Sequence, residues 1–317
     1  MSFVRLIIAR LVASVLTLLL VSVVVFTGVQ GLPGDATARI LGREAPQEAR
    51  DRLRAELNLD DPLVQRYVRW AGAALKGDFG TSFASRQPVT DYLAPRLVNT
   101  LALSGLALLF YIPLSILPAI AQAPRPDRAL DRSITVLTVA ILSAPEFLSA
   151  TLMLFAFAVI WPIFPPMVQL TAGMGWPAYL HALTLPALTL GLLLATYGVR
   201  LLRESLLEIY RSDFVRMAEF KGLSDRRILW RHVLPNALIP WMNATALNIA
   251  FMIGGVVVVE KVFAFPGFGS ALVSALQLRD LPVISAGVMI AAAIFILVNL
   301  LADIGALIAN PRLRSRQ

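Results

Sequence analysis

Apolar residues in this chain fall in long blocks, not in the short alternating stretches of a sheet protein. Residues 11–29 form the first block and follow Arg5 and Arg10. The run exceeds the apolar core of a secretory signal, so the pattern predicts a retained membrane-spanning helix over residues 1–30. Five further apolar segments, 97–121, 134–160, 185–202, 237–259 and 283–308, are each predicted to cross as well; about 20 residues suffice for the hydrocarbon core. Between the first two blocks, residues 31–96 are hydrophilic. Their periodicity predicts amphipathic helices over 46–57 and 62–75, the second with Val64, Tyr67, Val68, Ala71 and Leu75 on one face. The expected fold is all-α, with six transmembrane helices and a helical insertion between spans 1 and 2.

Polar interruptions within the blocks are the candidate chemistry. The third block contains SAPEFL (143–148), in which Ser143 and Glu146 have capping-box spacing around Pro145. That predicts two half-helices, with Glu146 near mid-membrane, where an ionised acid costs about 2.5–3.5 kcal/mol. Glu146 either lines a watery path or is a helix cap packed against a neighbouring span. Asn243, in the fifth block, is the other candidate for a translocation pathway. Ala246, Ala250 and Gly254 recur at intervals of four, a spacing that lets helices approach closely. Asp303, in the last block, is either a coupling acid or a group paired near the membrane boundary.

Between the fourth and fifth blocks lies AEFKGLSDRRILWRHVLPNALIP (218–240), which is polar, basic and helix-forming. Asp213 is expected to cap a short helix ending at Gly222. Ser224 is expected to cap a second, ending near Pro235, with Ile228, Leu229, Trp230, Val233 and Leu234 on one side. A charged elbow between two spans is either a surface offered to a soluble partner or an ordinary basic interfacial loop.

Composition supports the membrane reading. Of 317 residues 57% are hydrophobic and 15% charged, against about 25% charged in soluble domains, and mean hydropathy is +0.73. The chain has no cysteine, hence no disulfide or thiol chemistry, and its two histidines, His181 and His232, lack metal-ligand spacing. The net charge of +8 is explained by topology without nucleic acid. The N-terminus, residues 122–133, residues 200–232 and the tail hold 16 Lys/Arg against 7 Asp/Glu, whereas 161–183 and 260–282 hold two Lys/Arg. By the positive-inside rule both termini and the elbow are cytoplasmic and residues 31–96 lie outside. There is no phosphate-binding loop, no G-x-S-x-G and no H-E-x-x-H, so an enzymatic role is not supported and no cofactor is expected. An ion-coupled carrier using Glu146 or Asp303 is the alternative.

Several ordered blocks carry a family resemblance. Around the elbow, Gly222 and Leu234-Pro235 match the Glu-Ala-Ala loop of ABC-importer permeases (EAA, three residues, G, nine residues, I, one residue, L-P). Arg216-Met217-Ala218 stand in the EAA slots and His232 replaces the isoleucine, as the dipeptide/oligopeptide/nickel branch tolerates. LNLDDPLVQRYVRW, KGDFGTSF, PVTDYL, LPALTLGL and the run VEKVFAFPGFG with RDLPV resemble the same branch, from residue 6 to residue 312, where Asn310-Pro311-Arg312 stands for Asp-Pro-Arg. The resemblance implies a type I ABC importer permease domain over 97–308, with a coupling loop over 204–235, a periplasmic region over 31–96 and a cytoplasmic tail over 309–317. It implies a bacterial inner-membrane protein that moves a peptide or related solute and leaves ATP hydrolysis to others. Its expected partners are a second permease subunit, two ABC ATPase subunits, an extracellular binding protein and membrane lipid. Arg216, Glu219, Lys221, Gly222, Leu223 and Arg227 are the residues expected against the ATPase.

Overall fold

In lipid no water is available for backbone N–H and C=O groups, so long apolar runs are stable only as helices or closed barrels, and every apolar block here is helical. The computed structural model describes residues 3–30, 46–56, 60–171 and 173–309, without the side chains at 3–7, 30, 53, 56, 246–251, 253–255 and 301–309. The expected contributions of Ala246, Ala250, Gly254, Asp303 and residues 310–317 therefore lie outside the described parts. The helices are α1 (Phe3–Gln30), α2 (Gln47–Glu56), α3 (Leu63–Ala74), α4 (Val89–Gln122), α5 (Ala129–Ser143), α6 (Glu146–Leu154), α7 (Trp176–Tyr210), α8 (Asp213–Phe220), α9 (Asp225–Ile228), α10 (Leu234–Val262), α11 (Phe268–Leu278) and α12 (Leu281–Ala309).

Among the described residues four helices are long and apolar enough to cross a membrane: Ile8–Val29 of α1, α4, α7 and Leu281–Leu300 of α12. The third block is broken as expected, α5 and the stretch from Glu146 to Ile160 meeting at 110°, and it makes a fifth crossing if the pair is one span. The expected capping box is not formed. Pro145 is the cap residue of α6, and no side chain bonds the helix start. Pro145 itself breaks the helix, because its ring disfavours helical geometry at Ala144, which is extended (φ −80°, ψ 141°). The fifth block lies within the 29-residue α10.

The chain divides into two compact units, Met1–Val98 with Ser270–Gln317, and Asn99–Gly269. In the first, α1 lies against α12, and α3 rests on α1 through Tyr67 and Trp70, whose rings sit 5.5 and 5.4 Å from Phe26. In the second, α7 packs against α4, α5, α6 and α10. Two glycines allow the α4–α7 approach. A Cβ at Gly191 would sit 2.7 Å from the Ala107 carbonyl oxygen, and one at Gly198 would sit 2.9 Å from the Tyr111 hydroxyl and from Ser115 Cβ. Gly191 belongs to LPALTLGL, so part of that motif marks a close helix crossing.

Candidate functional site

Helix α7 has 35 residues, about 52 Å at 1.5 Å per residue, against a hydrocarbon thickness of about 30 Å. The helix is therefore longer than one crossing requires, and its C-terminal end leads into the elbow. There α8 ends in a Schellman motif: Leu223 N–H donates to the Ala218 carbonyl (3.2 Å) and Gly222 N–H to the Glu219 carbonyl (2.8 Å), with Gly222 at φ +76°. The chain then restarts at Ser224. It does not stop near Pro235 as the sequence suggested. Residues Leu229–Val233 form a π-helical stretch that joins α9 to α10 without a break. Pro235 has no N–H to offer the Arg231 carbonyl, which accounts for the altered ladder, and Asn236 Nδ2 donates to the His232 carbonyl at 2.6 Å. At the other end Asp213 is the first residue of α8, and its cap position falls to Ser212, whose hydroxyl donates back to the Ile209 carbonyl at 2.5 Å.

The elbow has two faces. Val215, Ala218, Ile228, Leu229 and Val233 are buried in one apolar cluster with Ala119 of α4, Ala123 just after it, and Leu202 and Leu206 of α7. The elbow is thereby fastened to the ends of the long helices. The other face is open: Arg216, Glu219, Lys221, Gly222 and Arg227 are exposed, while Leu223 is half-buried against the cluster. Beside these charges stand apolar side chains the sequence reading did not single out, Phe214, Met217 and Phe220, spaced by three. Phe220 is 87% exposed. Trp230, expected with the apolar side, faces out and lines an open hollow of about 460 Å³ with Ser224, Arg226 and Arg227. The helical period of 214, 217 and 220 was the available signal.

Two further arrangements were not anticipated. Asp131 on α5 is buried and takes a bidentate contact from Arg203 of α7 (Nε 2.6 Å, Nη2 2.7 Å), together with the Asp127 N–H (2.8 Å). Gln122, at the end of α4, donates to the Asp131 carbonyl at 3.2 Å. The ends of three long helices are thus tied by one ion pair and one amide. Similarly, Glu260 is fully buried and accepts a hydrogen bond from Thr100 (2.5 Å), whose oxygen in turn accepts one from the Phe268 N–H (2.8 Å). A Cβ at Gly267 would lie 2.1 Å from Glu260 Oε1. In the first unit Asp280 is buried and accepts from Ser82 Oγ (2.5 Å) and the N–H groups of Phe83 and Ala84 (both 3.1 Å). The acids of the VEKVFAFPGFG and RDLPV blocks are therefore brackets for tight turns. Residues 256–283 also contain the helix α11.

Glu146 is exposed in the single chain and lines a cavity of about 340 Å³ with Leu190, Leu194, Thr196, Tyr197 and Met252. It is the one ionisable acid there. Asn243 is exposed on α10 and is not among the residues lining that cavity. His181 stacks on Phe164 (5.2 Å) and contacts the Ile163 carbonyl (3.0 Å), a structural setting.

A chain whose long apolar helices carry an exposed, glycine-hinged elbow has the architecture of a transport permease, and comparison with known proteins makes the class definite. Residues 111–315 match the binding-protein-dependent transport system inner membrane component, and residues 3–104 match the N-terminal region of the same component. The chain belongs to this family of ABC importer permeases and is a multi-pass inner-membrane protein. Among its relatives, the glutathione transport system permease protein GsiC of Escherichia coli K12 is 36% identical over 309 residues, covering 97% of this chain and 98% of the relative. Its counterpart in Salmonella paratyphi A is 37% identical over 306 residues (96% and 97%), and that of Shigella flexneri 35% over 309 (97% and 98%).

Proposed function

We propose that this chain is one of two permease subunits of an ATP-driven importer and moves peptides or a peptide-like solute such as glutathione inward across the membrane. In this reading the six apolar segments are six spans, both termini and the elbow are cytoplasmic, and residues 31–96 lie outside. The excess of Lys/Arg in the segments assigned to the cytoplasm supports that orientation. The observation that carries the reading is the two-faced elbow. One side is buried with the ends of α4 and α7, and the other presents Phe214, Met217, Phe220 and Trp230 among basic residues. Apolar groups surrounded by charge on a surface outside the lipid suit a protein groove.

Two soluble ATPase subunits would each receive one elbow. Their closure on ATP would pull the elbows together, and α7 and α10 would transmit the movement to the spans as alternating access. Arg216, Glu219, Lys221, Gly222, Leu223 and Arg227 are the contacts proposed for the ATPase. Glu146 and Asn243 are proposed for the pathway, completed by the second permease. A binding protein would deliver the solute from outside. The test is reconstitution: purified with its neighbouring subunits in proteoliposomes, the chain should support uptake that requires ATP and the binding protein. Uptake driven by a proton or sodium gradient, with no ATPase bound, would overturn the proposal.

A further inference from the structure

The helix α3 belongs to the hydrophilic region after the first span, yet it does not sit clear of the membrane-spanning part. Its Tyr67 hydroxyl shares a 2.7 Å hydrogen bond with the hydroxyl of Ser22. Ser22 and Phe26, the α1 residues that contact α3, are buried. The apolar window of α1 runs to Val29. At 1.5 Å per residue Ser22 lies about 10 Å inside that end of the span, and Phe26 about 5 Å inside. A helix that packs on Ser22 and Phe26 is therefore at the depth of the acyl chains just below the headgroups.

The sequence of α3 fits that depth. Tyr67 and Trp70, aromatic rings with polar tips, are the residue types favoured at a membrane boundary. Tyr67 and Trp70 occupy the side packed on Phe26. Beside that side runs an uncovered apolar stripe: Val64 is 72% exposed, Val68 62% and Leu75 90%. At about 100° per residue these three fall within about 40° of one another. The opposite side carries Gln65, Arg66 and Arg69, and Arg69 pairs with Asp61 (2.5 Å). The helix thus has one flank on α1, one free apolar flank and one charged flank.

We infer that α3 is a membrane-embedded interfacial helix whose Val64, Val68 and Leu75 stripe is covered by lipid acyl chains, with its charged flank toward the headgroups. A binding protein docking on residues 31–96 would then meet other parts of that region and not this stripe. The inference depends on α1 crossing the membrane and not on which solute is carried.

The absence of cysteine from the chain permits a direct test. Nitroxide labels are placed by Val68→Cys and, on the charged flank, Gln65→Cys, in the complete transporter reconstituted in lipid nanodiscs. Collision with oxygen, which partitions into acyl chains, is compared with collision with a water-soluble nickel chelate. The expected oxygen-to-nickel ratio at 68 is several-fold above that at 65. Equal ratios with free access to nickel would place the stripe in water, and protection from both reagents, or protection appearing when binding protein is added, would assign it to a protein partner; either overturns the inference. Leu75→Cys reads the same stripe should the label at 68 prevent assembly.

Discussion

The elbow and the 256–283 block both resemble family motifs and both turn on glycine, but they use it in opposite ways. Gly222 has a left-handed backbone (φ +76°) and no atom within 4 Å of where a Cβ would stand. Gly267 is where a side chain would collide with the buried carboxylate of Glu260. One glycine is needed for its torsion angle, the other for its lack of volume. The same contrast runs through the neighbours. The elbow turns Arg216, Lys221, Phe220 and Arg227 outward, whereas the 256–283 block buries Glu260 and Asp280. A motif whose polar residues are buried and bonded within the chain is architectural, while one whose residues stand exposed on a rigid base is available to a partner.

The largest effect should come from Gly267→Val. Glu260 is fully buried and held by Thr100, so an overpacking cost of about 1–3 kcal/mol adds to a similar cost for a buried carboxylate pushed off its donor. The variant should fail to appear as a monodisperse peak in size-exclusion chromatography. Next is the buried ion pair. Arg203→Ala leaves Asp131 buried without its guanidinium and should cost about 3–5 kcal/mol, read as a lowered melting temperature in detergent. Asp131→Leu combined with Arg203→Met should recover most of that loss, because it removes both charges together.

On the elbow the expectation reverses. Phe220→Ala should leave the melting temperature of the permease unchanged, since the ring touches little within the chain. It should weaken ATPase association by roughly 10- to 100-fold, the equivalent of about 1.5–3 kcal/mol for one buried aromatic; titration of purified ATPase into nanodisc-bound permease measures this. Gly222→Ala should cost only about 1–2 kcal/mol, through its torsion angle, with Gly222→Pro worse because proline cannot adopt that φ or donate to Glu219. Thermal unfolding of the two variants gives the order. The smallest change is Arg227→Ala, at most about 1 kcal/mol in ATPase affinity and fading with added salt.

Much of this arrangement was legible in the sequence because lipid imposes a coarse rule: an apolar run must be a helix. The blocks, the break at Pro145, helices α2 and α3 and the glycine hinge at 222 all followed from periodicity and turn chemistry. The ends of elements did not. The elbow's second helix was expected to stop near Pro235, but the π-helical stretch before it absorbs the missing proline donor and the helix runs on. Long-range partners were also hidden. Asp131 and Arg203 lie 72 residues apart and Ser82 and Asp280 lie 198 apart, and no local pattern joins them. The outward turn of Trp230 depended on the π-helical stretch, which shifts the register of the face after Ile228.

Position 220 tests the central claim most directly. With no native cysteine in the chain, Phe220→Cys can be cross-linked in membranes holding the assembled transporter. The elbow reading predicts a covalent adduct between position 220 and an ATPase subunit, with no labelling by an impermeant maleimide added outside intact cells. Labelling from outside, or an assembled complex in which position 220 joins no ATPase, would contradict it.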